Sequence, residues 1–132
     1  AIIHAMFLPS LKGVGGAKMS SSDETSFIAL TDTPEIIKTK INKYAFSGGK
    51  DTIEEHRKQG GNPDIDISFL YLKYLFEEDD KKLAKIEKDY RSGKLLSGEL
   101  KAMLIEKINA VLKEHQKLRD SIRKDVDKFI LN

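Results

Sequence analysis

Leu100, Leu104, Ile108, Val111, His115, Leu118, Ile122, Val126 and Phe129 recur at steps of three and four residues. Turned at 100° per residue, they fall within an arc of about 80°. An α-helix gathers such a set on one side, and from Leu100 to Phe129 it would run about 45 Å. Ser97 is placed to cap it, with Glu99 in the first turn, where a carboxylate suits the helix dipole. A stripe this long needs a surface to cover it. The expected cover is the rest of this chain, folded as a bundle that the helix spans. A short coiled coil between chains is the alternative. His115, inside the stripe, reads as a hydrogen-bonded core histidine.

The preceding text supplies further helices for that bundle. Thr33-Pro34 pairs a cap with proline at the first helical position, and Ile36, Ile37, Ile41 and Tyr44 follow at inward spacing. Ser47-Gly48-Gly49 is expected to end that helix. Thr52-x-x-Glu55 fits a capping box for a short helix to Gln59, stopped by Gly60-Gly61. After the turn Asn62-Pro63-Asp64, Ser68 can cap a third helix through Phe69 to Phe76, apolar almost all round and so expected at the buried centre. Ile65 to Ile67 is a brief strand candidate. A fourth helix runs from about Asp80 to Arg91, with Leu83, Ile86 and Tyr90 inward and Gly93 at its end. The carboxylates from Glu77 to Asp80 read as a solvated turn and helix cap rather than an acid/base pair.

The first eleven residues are different. Both alternating faces of Ala1 to Leu11 are apolar except at His4, as in a strand buried inside a parallel sheet. Such a strand needs neighbours for its backbone groups, and no other convincing one follows. The expectation is a C-terminal piece of a larger protein. Without its sheet, Ala1 to Ser22 is expected to be mobile or paired with a foreign surface. Next come Gly13-Val14-Gly15-Gly16 and then Lys18-Met19-Ser20-Ser21-Ser22. Glycines let the backbone approach closely, the lysine gives a compact positive charge, and the serines give small donors, a set suited to an anion. Asp23 offers a cap beyond it. A plain Gly/Ser linker is the competing reading.

Lys18 to Ser22 resembles the KMSKS signature of class I aminoacyl-tRNA synthetases, with Ser21 where the family has its second lysine. Ala45-Phe46-Ser47-Gly48-Gly49-Lys50-Asp51-Thr52-Ile53-Glu54-Glu55-His56-Arg57, followed by Gly60-Gly61-Asn62, resembles the C-terminal part of tryptophanyl-tRNA synthetases of the eukaryotic and archaeal type. The resemblance covers nearly the whole chain. It implies a mostly α fold: a helical bundle, the anticodon-binding domain, over residues 32–132. Before it, residues 1–31 would be the edge of a Rossmann-like α/β catalytic domain, with one strand and the KMSKS-type loop. The rest of the nucleotide-binding fold, with its HIGH motif, would lie upstream.

In that family the loop closes on ATP phosphates. Activation of an amino acid is an in-line attack of its carboxylate on the α-phosphate, so charge builds on phosphate oxygens and positioned donors are needed. The resemblance makes Lys18 the catalytic cation and places Lys18, Met19, Ser20 and Ser22 at ATP, with Met19 as a packing anchor. It implies tryptophan, ATP and Mg²⁺ as what the full-length enzyme uses, tRNA(Trp) as partner, a homodimer, and a cytoplasmic location, with this piece inactive alone. It directs attention to Lys50, Asp51 and Arg57 for the anticodon. Asp51 can accept from an exocyclic amine of the CCA bases, and the two cations can meet phosphates. On the residues alone, the favoured reading of Asp51 is a plain helix cap beside Thr52.

Composition trims the other possibilities. Charged residues are 33% of 132, with a net charge of +2, a balance that neither favours nor excludes nucleic acid as a partner. There is no cysteine, hence no disulfide or thiolate metal site, and His4, His56 and His115 are too scattered to suggest zinc. No apolar run is long enough to span a bilayer. A tyrosyl-tRNA synthetase fragment is the nearest rival. A non-catalytic helical RNA-binding or scaffold module is the other, and it would leave the two-sided apolar strand unexplained.

Overall fold

The computed structural model describes residues 8–13, 15 and 19–130, the side chain of Asp127 excepted. Among these residues the regular structure is entirely helical: α1 (Pro34–Tyr44), α2 (Ile53–Gln59), α3 (Ile67–Tyr71) running into a π-helical turn (Leu72–Phe76), α4 (Asp80–Arg91) and α5 (Ser97–Ile130). The expected strand falls mostly on residues 1–7, outside the described residues. Leu8 to Leu11 are not strand.

Local chemistry explains most boundaries. Thr33 Oγ1 accepts from Ile36 N (3.4 Å) to open α1 behind Pro34, and Thr52 Oγ1 accepts from Glu55 N (3.1 Å) to open α2. Gly60 ends α2 at φ +73°, and a Cβ there would sit 1.7 Å from Arg91 O, so only glycine lets the ends of α2 and α4 meet. Asp79 caps α4, accepting from Lys81 N (2.9 Å) and Lys82 N (3.3 Å), and Glu77 accepts from Asp79 N. The acidic run therefore serves as turn and cap.

Four expectations need correction here. The cap of α3 is Asp66, not Ser68: its Oδ1 accepts from Phe69 N (3.2 Å), which starts the helix at Ile67. That same cap, after a turn closed by Asp64 N donating to Asn62 Oδ1 (3.0 Å), replaces the strand candidate at Ile65 to Ile67. The apolar run beyond Tyr71 does not stay buried. Glu77 N reaches back five residues to Leu72 O (2.9 Å), and this wider turn keeps Leu72 inside while carrying Tyr74 and Leu75 to the surface. In α1, Ile37 and Ile41 are buried, but Ile36, about 100° round the helix from Ile37, is exposed.

The core lies where α1, α3 and its π turn pack against the first half of α5, with Ile86 and Tyr90 of α4 closing it. Leu100, Leu104, Ile108 and Leu112 supply the α5 side. Among the described residues nothing covers the stripe beyond Leu112: Leu118 is 64% exposed, Ile122 60% and Phe129 82%. The expectation of a helix spanning its own bundle therefore holds for less than half of α5. His115 is exposed rather than a core residue, because the bundle ends before it.

Leu11 belongs to this core. Its N donates to Ser26 O (3.0 Å), its O accepts from Phe46 N (2.8 Å), and Phe46 O accepts from Ile67 N (3.1 Å). Tyr71 OH donates to Pro9 O (2.7 Å). Pro9 O and Leu11 O thus accept from donors on the helical side, and Leu11 and Met19 pack into the core, so these parts of Ala1 to Ser22 are held by their own chain rather than mobile or paired with a foreign surface. Residues 1–7, 14 and 16–18 lie outside what is described.

Candidate functional site

Lys18 lies outside the described residues, so the geometry begins at Met19. Met19 is half-buried and packs on the core as an anchor. Ser20 N donates to Ser26 Oγ (3.1 Å), which itself donates to Asp23 O (2.7 Å). Asp23 N returns to Ser20 O (3.0 Å), and a tight turn results. Ser20 Oγ and Ser22 Oγ lie 2.8 Å apart, so two hydroxyls are presented together. Asp23 is held by Lys12 Nζ (2.6 Å) and by Thr25 N (3.1 Å) and its hydroxyl. The hydrogen bond from Lys12, then that from Thr25, bring the Asp23 carboxyl down to about 2. The donors here suit phosphate oxygens. Among the described residues no group of three His, Cys, Asp or Glu side chains is placed to hold a metal ion.

The second constellation sits at the start of α2. Lys50, Asp51, Thr52, Ile53 and His56 face Leu96, Ser97, Gly98 and Glu99 across a groove of about 400 Å³. Thr52 is the cap of α2, so the Asp51 carboxylate is not used there and stands exposed at the groove. Opposite, Leu96 N donates to Glu99 Oε2 (2.8 Å), while Ser97 is the first helical residue rather than the cap. Arg57 is not in the lining. Its Nη1 donates to Gly93 O (3.1 Å) and to Lys94 O, tying α2 to the turn after α4.

A buried polar seam holds the groove's two walls. Asp66 is 1% exposed, and besides Phe69 N its carboxylate accepts from Gly48 N (2.8 Å) and Tyr90 OH (2.8 Å). Tyr90 OH also meets Ser97 Oγ (2.9 Å). Burial first, and then the Asp66 charge, push the Tyr90 phenol up to about 12. A Cβ on Gly48 would lie 2.0 Å from Asn62 O, so this loop reaches Asp66 only as glycine. His56 is buried against Tyr90, ring centroids 5.2 Å apart, with Nε2 2.9 Å from Leu95 O. A carbonyl only accepts, so Nε2 carries the proton. Sequence reasoning took Tyr90 as an apolar contact, read Ser97 and Glu99 only as the start of the last helix, set His56 aside as a metal ligand and gave Asp66 no role. The signal for Asp66 was there: an acid three residues before the apolar run that opens at Phe69, in cap position.

A larger hollow of about 590 Å³ opens between the π turn, α4 and α5, with Leu72, Ile86 and Met103 in its lining and the Lys107–Glu77 ion pair (3.2 Å) at its edge. It contains none of the residues that the sequence proposed for ATP or tRNA.

Known proteins resemble this chain over nearly all of its length. It is 58% identical over 129 residues to the tryptophan–tRNA ligase of Sulfurisphaera tokodaii, covering 98% of this chain and 34% of that protein. It is 53% identical over 128 residues to the human cytoplasmic tryptophan–tRNA ligase, covering 27% of it. The solved tryptophanyl-tRNA synthetase of Giardia lamblia superposes with a TM-score of 0.83 at 54% identity, over 87% of this chain and 28% of that one. The chain thus spans about a third of the length of the curated relatives it matches. The model of the family described as tRNA synthetases class I (W and Y) matches residues 1–113, and the chain belongs to that family.

Proposed function

We propose that the chain is the C-terminal part of a tryptophan–tRNA ligase, with residues 1–31 at the edge of the catalytic domain and residues 32–132 as the anticodon-binding domain. The observation that carries this is the 58% identity to a tryptophan–tRNA ligase across 98% of the chain. In this reading Lys18, Met19, Ser20 and Ser22 form the loop that meets the ATP phosphates. Lys18 is the cation for the charge that builds on the α-phosphate, and the paired hydroxyls of Ser20 and Ser22 orient donors toward its oxygens. Ser21 in place of the family's second lysine leaves Lys18 as the loop's own positive charge. Mg²⁺ would come with the nucleotide and neutralise phosphate charge, since the hydroxyl and lysine donors of this loop suit phosphate rather than metal.

The groove beside α2 is the proposed seat of an anticodon base of tRNA(Trp). The exposed Asp51 carboxylate accepts from the base's exocyclic amine, and Lys50 meets the backbone phosphate. Arg57 belongs to the same proposal as a phosphate contact, with its Nη1 already bonded to carbonyls. The full-length protein is read as a cytoplasmic homodimer without membrane attachment; among the described residues no helix is long and apolar enough to cross a membrane. The test is tryptophan-dependent pyrophosphate exchange and tRNA(Trp) charging by the longer parent, with tyrosine and tRNA(Tyr) as the contrast. Exchange with tyrosine instead would move the chain to the other branch of its family. Exchange with neither would leave an RNA-binding or scaffold module.

A further inference from the structure

The second half of α5 leaves the bundle as a bare amphipathic helix. Val111, Leu118, Ile122, Val126 and Phe129 line one side, and each is at least 42% exposed. From Ile108 on, the positions 108, 111, 115, 118, 122, 125 and 129 alternate by three and four, the seven-residue spacing of a coiled-coil seam. Two of these seven are polar, His115 and Asp125, and they decide what can cover the seam.

We infer that this face pairs with the same face of a second copy, antiparallel. In that arrangement seam positions whose numbers sum to 240 lie opposite each other: Ile122 meets Leu118 of the other copy, and Phe129 meets Val111. The same register puts each His115 imidazole against an Asp125 carboxylate, which on its own helix pairs with the exposed Lys128 at 3.4 Å. A parallel pair sets Asp125 against Asp125 and His115 against His115, which places like carboxylates together in a closing interface. Antiparallel pairing also sends the two folded bodies to opposite ends. The one adverse contact is Arg119 near Arg119 at the two-fold axis, on the solvated rim. The inference does not rest on the ligase reading.

The test uses the whole 132-residue chain in analytical ultracentrifugation. A dimer at tens of micromolar is expected. The double variant Leu118→Glu/Ile122→Glu should weaken it about tenfold or more, equivalent to about 1.4 kcal/mol, while far-ultraviolet circular dichroism keeps the helical signal. The chain has no cysteine, so single ones report register cleanly. Under mild oxidation, His115→Cys mixed with Asp125→Cys should give the mixed disulfide, identified by mass, and either variant by itself should give little. A monomeric chain, a double variant that still dimerises, or single variants that cross-link as well as the mixture would each overturn the inference.

Discussion

Asp66 and Asp51 stand 15 positions apart and carry opposite kinds of consequence. Asp66 satisfies three donors in the interior, so Asp66→Ala leaves Gly48 N and Phe69 N facing no acceptor and the Tyr90 hydroxyl with Ser97 Oγ alone. A loss of about 3 kcal/mol or more in urea unfolding is expected, from one to three kcal/mol per buried group left unpaired. Asp51 is exposed and caps nothing, so Asp51→Ala should leave stability nearly unchanged and act on tRNA charging by the parent. A lost base contact is worth about 1–3 kcal/mol by analogy with base-edge readout. Changing Asp51 and each anticodon base singly and together should give non-additive losses at one base; additivity at all three would place recognition elsewhere. A third residue-scale expectation concerns alkali. Tyr71 and Tyr90 are both pushed up to about 12 from the usual 10, by burial in each case. Their neutral forms support the fold fully below pH 10, and that support is lost as pH rises toward 12. Phenolate absorbance for these two should appear only near pH 12, together with unfolding. Early appearance, with the helical signal intact, would contradict the buried seam. Of these residues the sequence made Asp51 legible through a family motif. It hid Asp66, because a cap acid and a cap-forming serine stood two apart and only tertiary donors chose between them.

At the scale of elements, several caps and stops were legible because their chemistry is local, while the serines expected to cap α3 and α5 proved to lie inside those helices. Thr33, Thr52, Gly60 and Gly93 act within a turn of their own position, and Thr52→Ala should cost about 1 kcal/mol of stability in thermal or urea unfolding. Two elements were not legible. The π turn after Tyr71 changes which residues face inward, and apolar content that is nearly uniform carries no phase to reveal it. The stripe of α5 keeps its period from Leu100 to Phe129, while the bundle covers it only as far as Leu112. Periodicity says that a helix has an apolar side; it does not say what lies against it.

For the whole molecule, the expected division of labour is a loop for phosphate and a groove for a base, the loop completing an ATP site built mostly from residues upstream. The 132-residue chain should show no tryptophan-dependent pyrophosphate exchange, because the proposed role covers only one loop of the ATP site. In the longer parent, Lys18→Ala should slow activation by on the order of 10²–10³ while leaving tryptophan affinity near its original value, the pattern of a donor used in the transition state. Pre-steady-state formation of adenylate measures it, and an unchanged rate would remove Lys18 from the mechanism. This part of the site came from resemblance alone; five residues in a glycine-rich stretch carry no physical signal strong enough to exclude a linker.

Leu11 acts as a keystone. It sits fully enclosed among helices that begin more than 20 residues later, with its amide and carbonyl both spoken for. A piece cut to begin at residue 32 would keep every helix and still arrive with a leucine-shaped hole in its roof. Phe46 would then lose the acceptor that steadies it, two residues before the glycines that carry Lys50 and Asp51 to their groove. The hole should cost on the order of 3 kcal/mol, and the slack should show as faster amide exchange from Phe46 to Asp51 than in the intact chain. Anyone trimming this protein for study should therefore trim no later than Leu8.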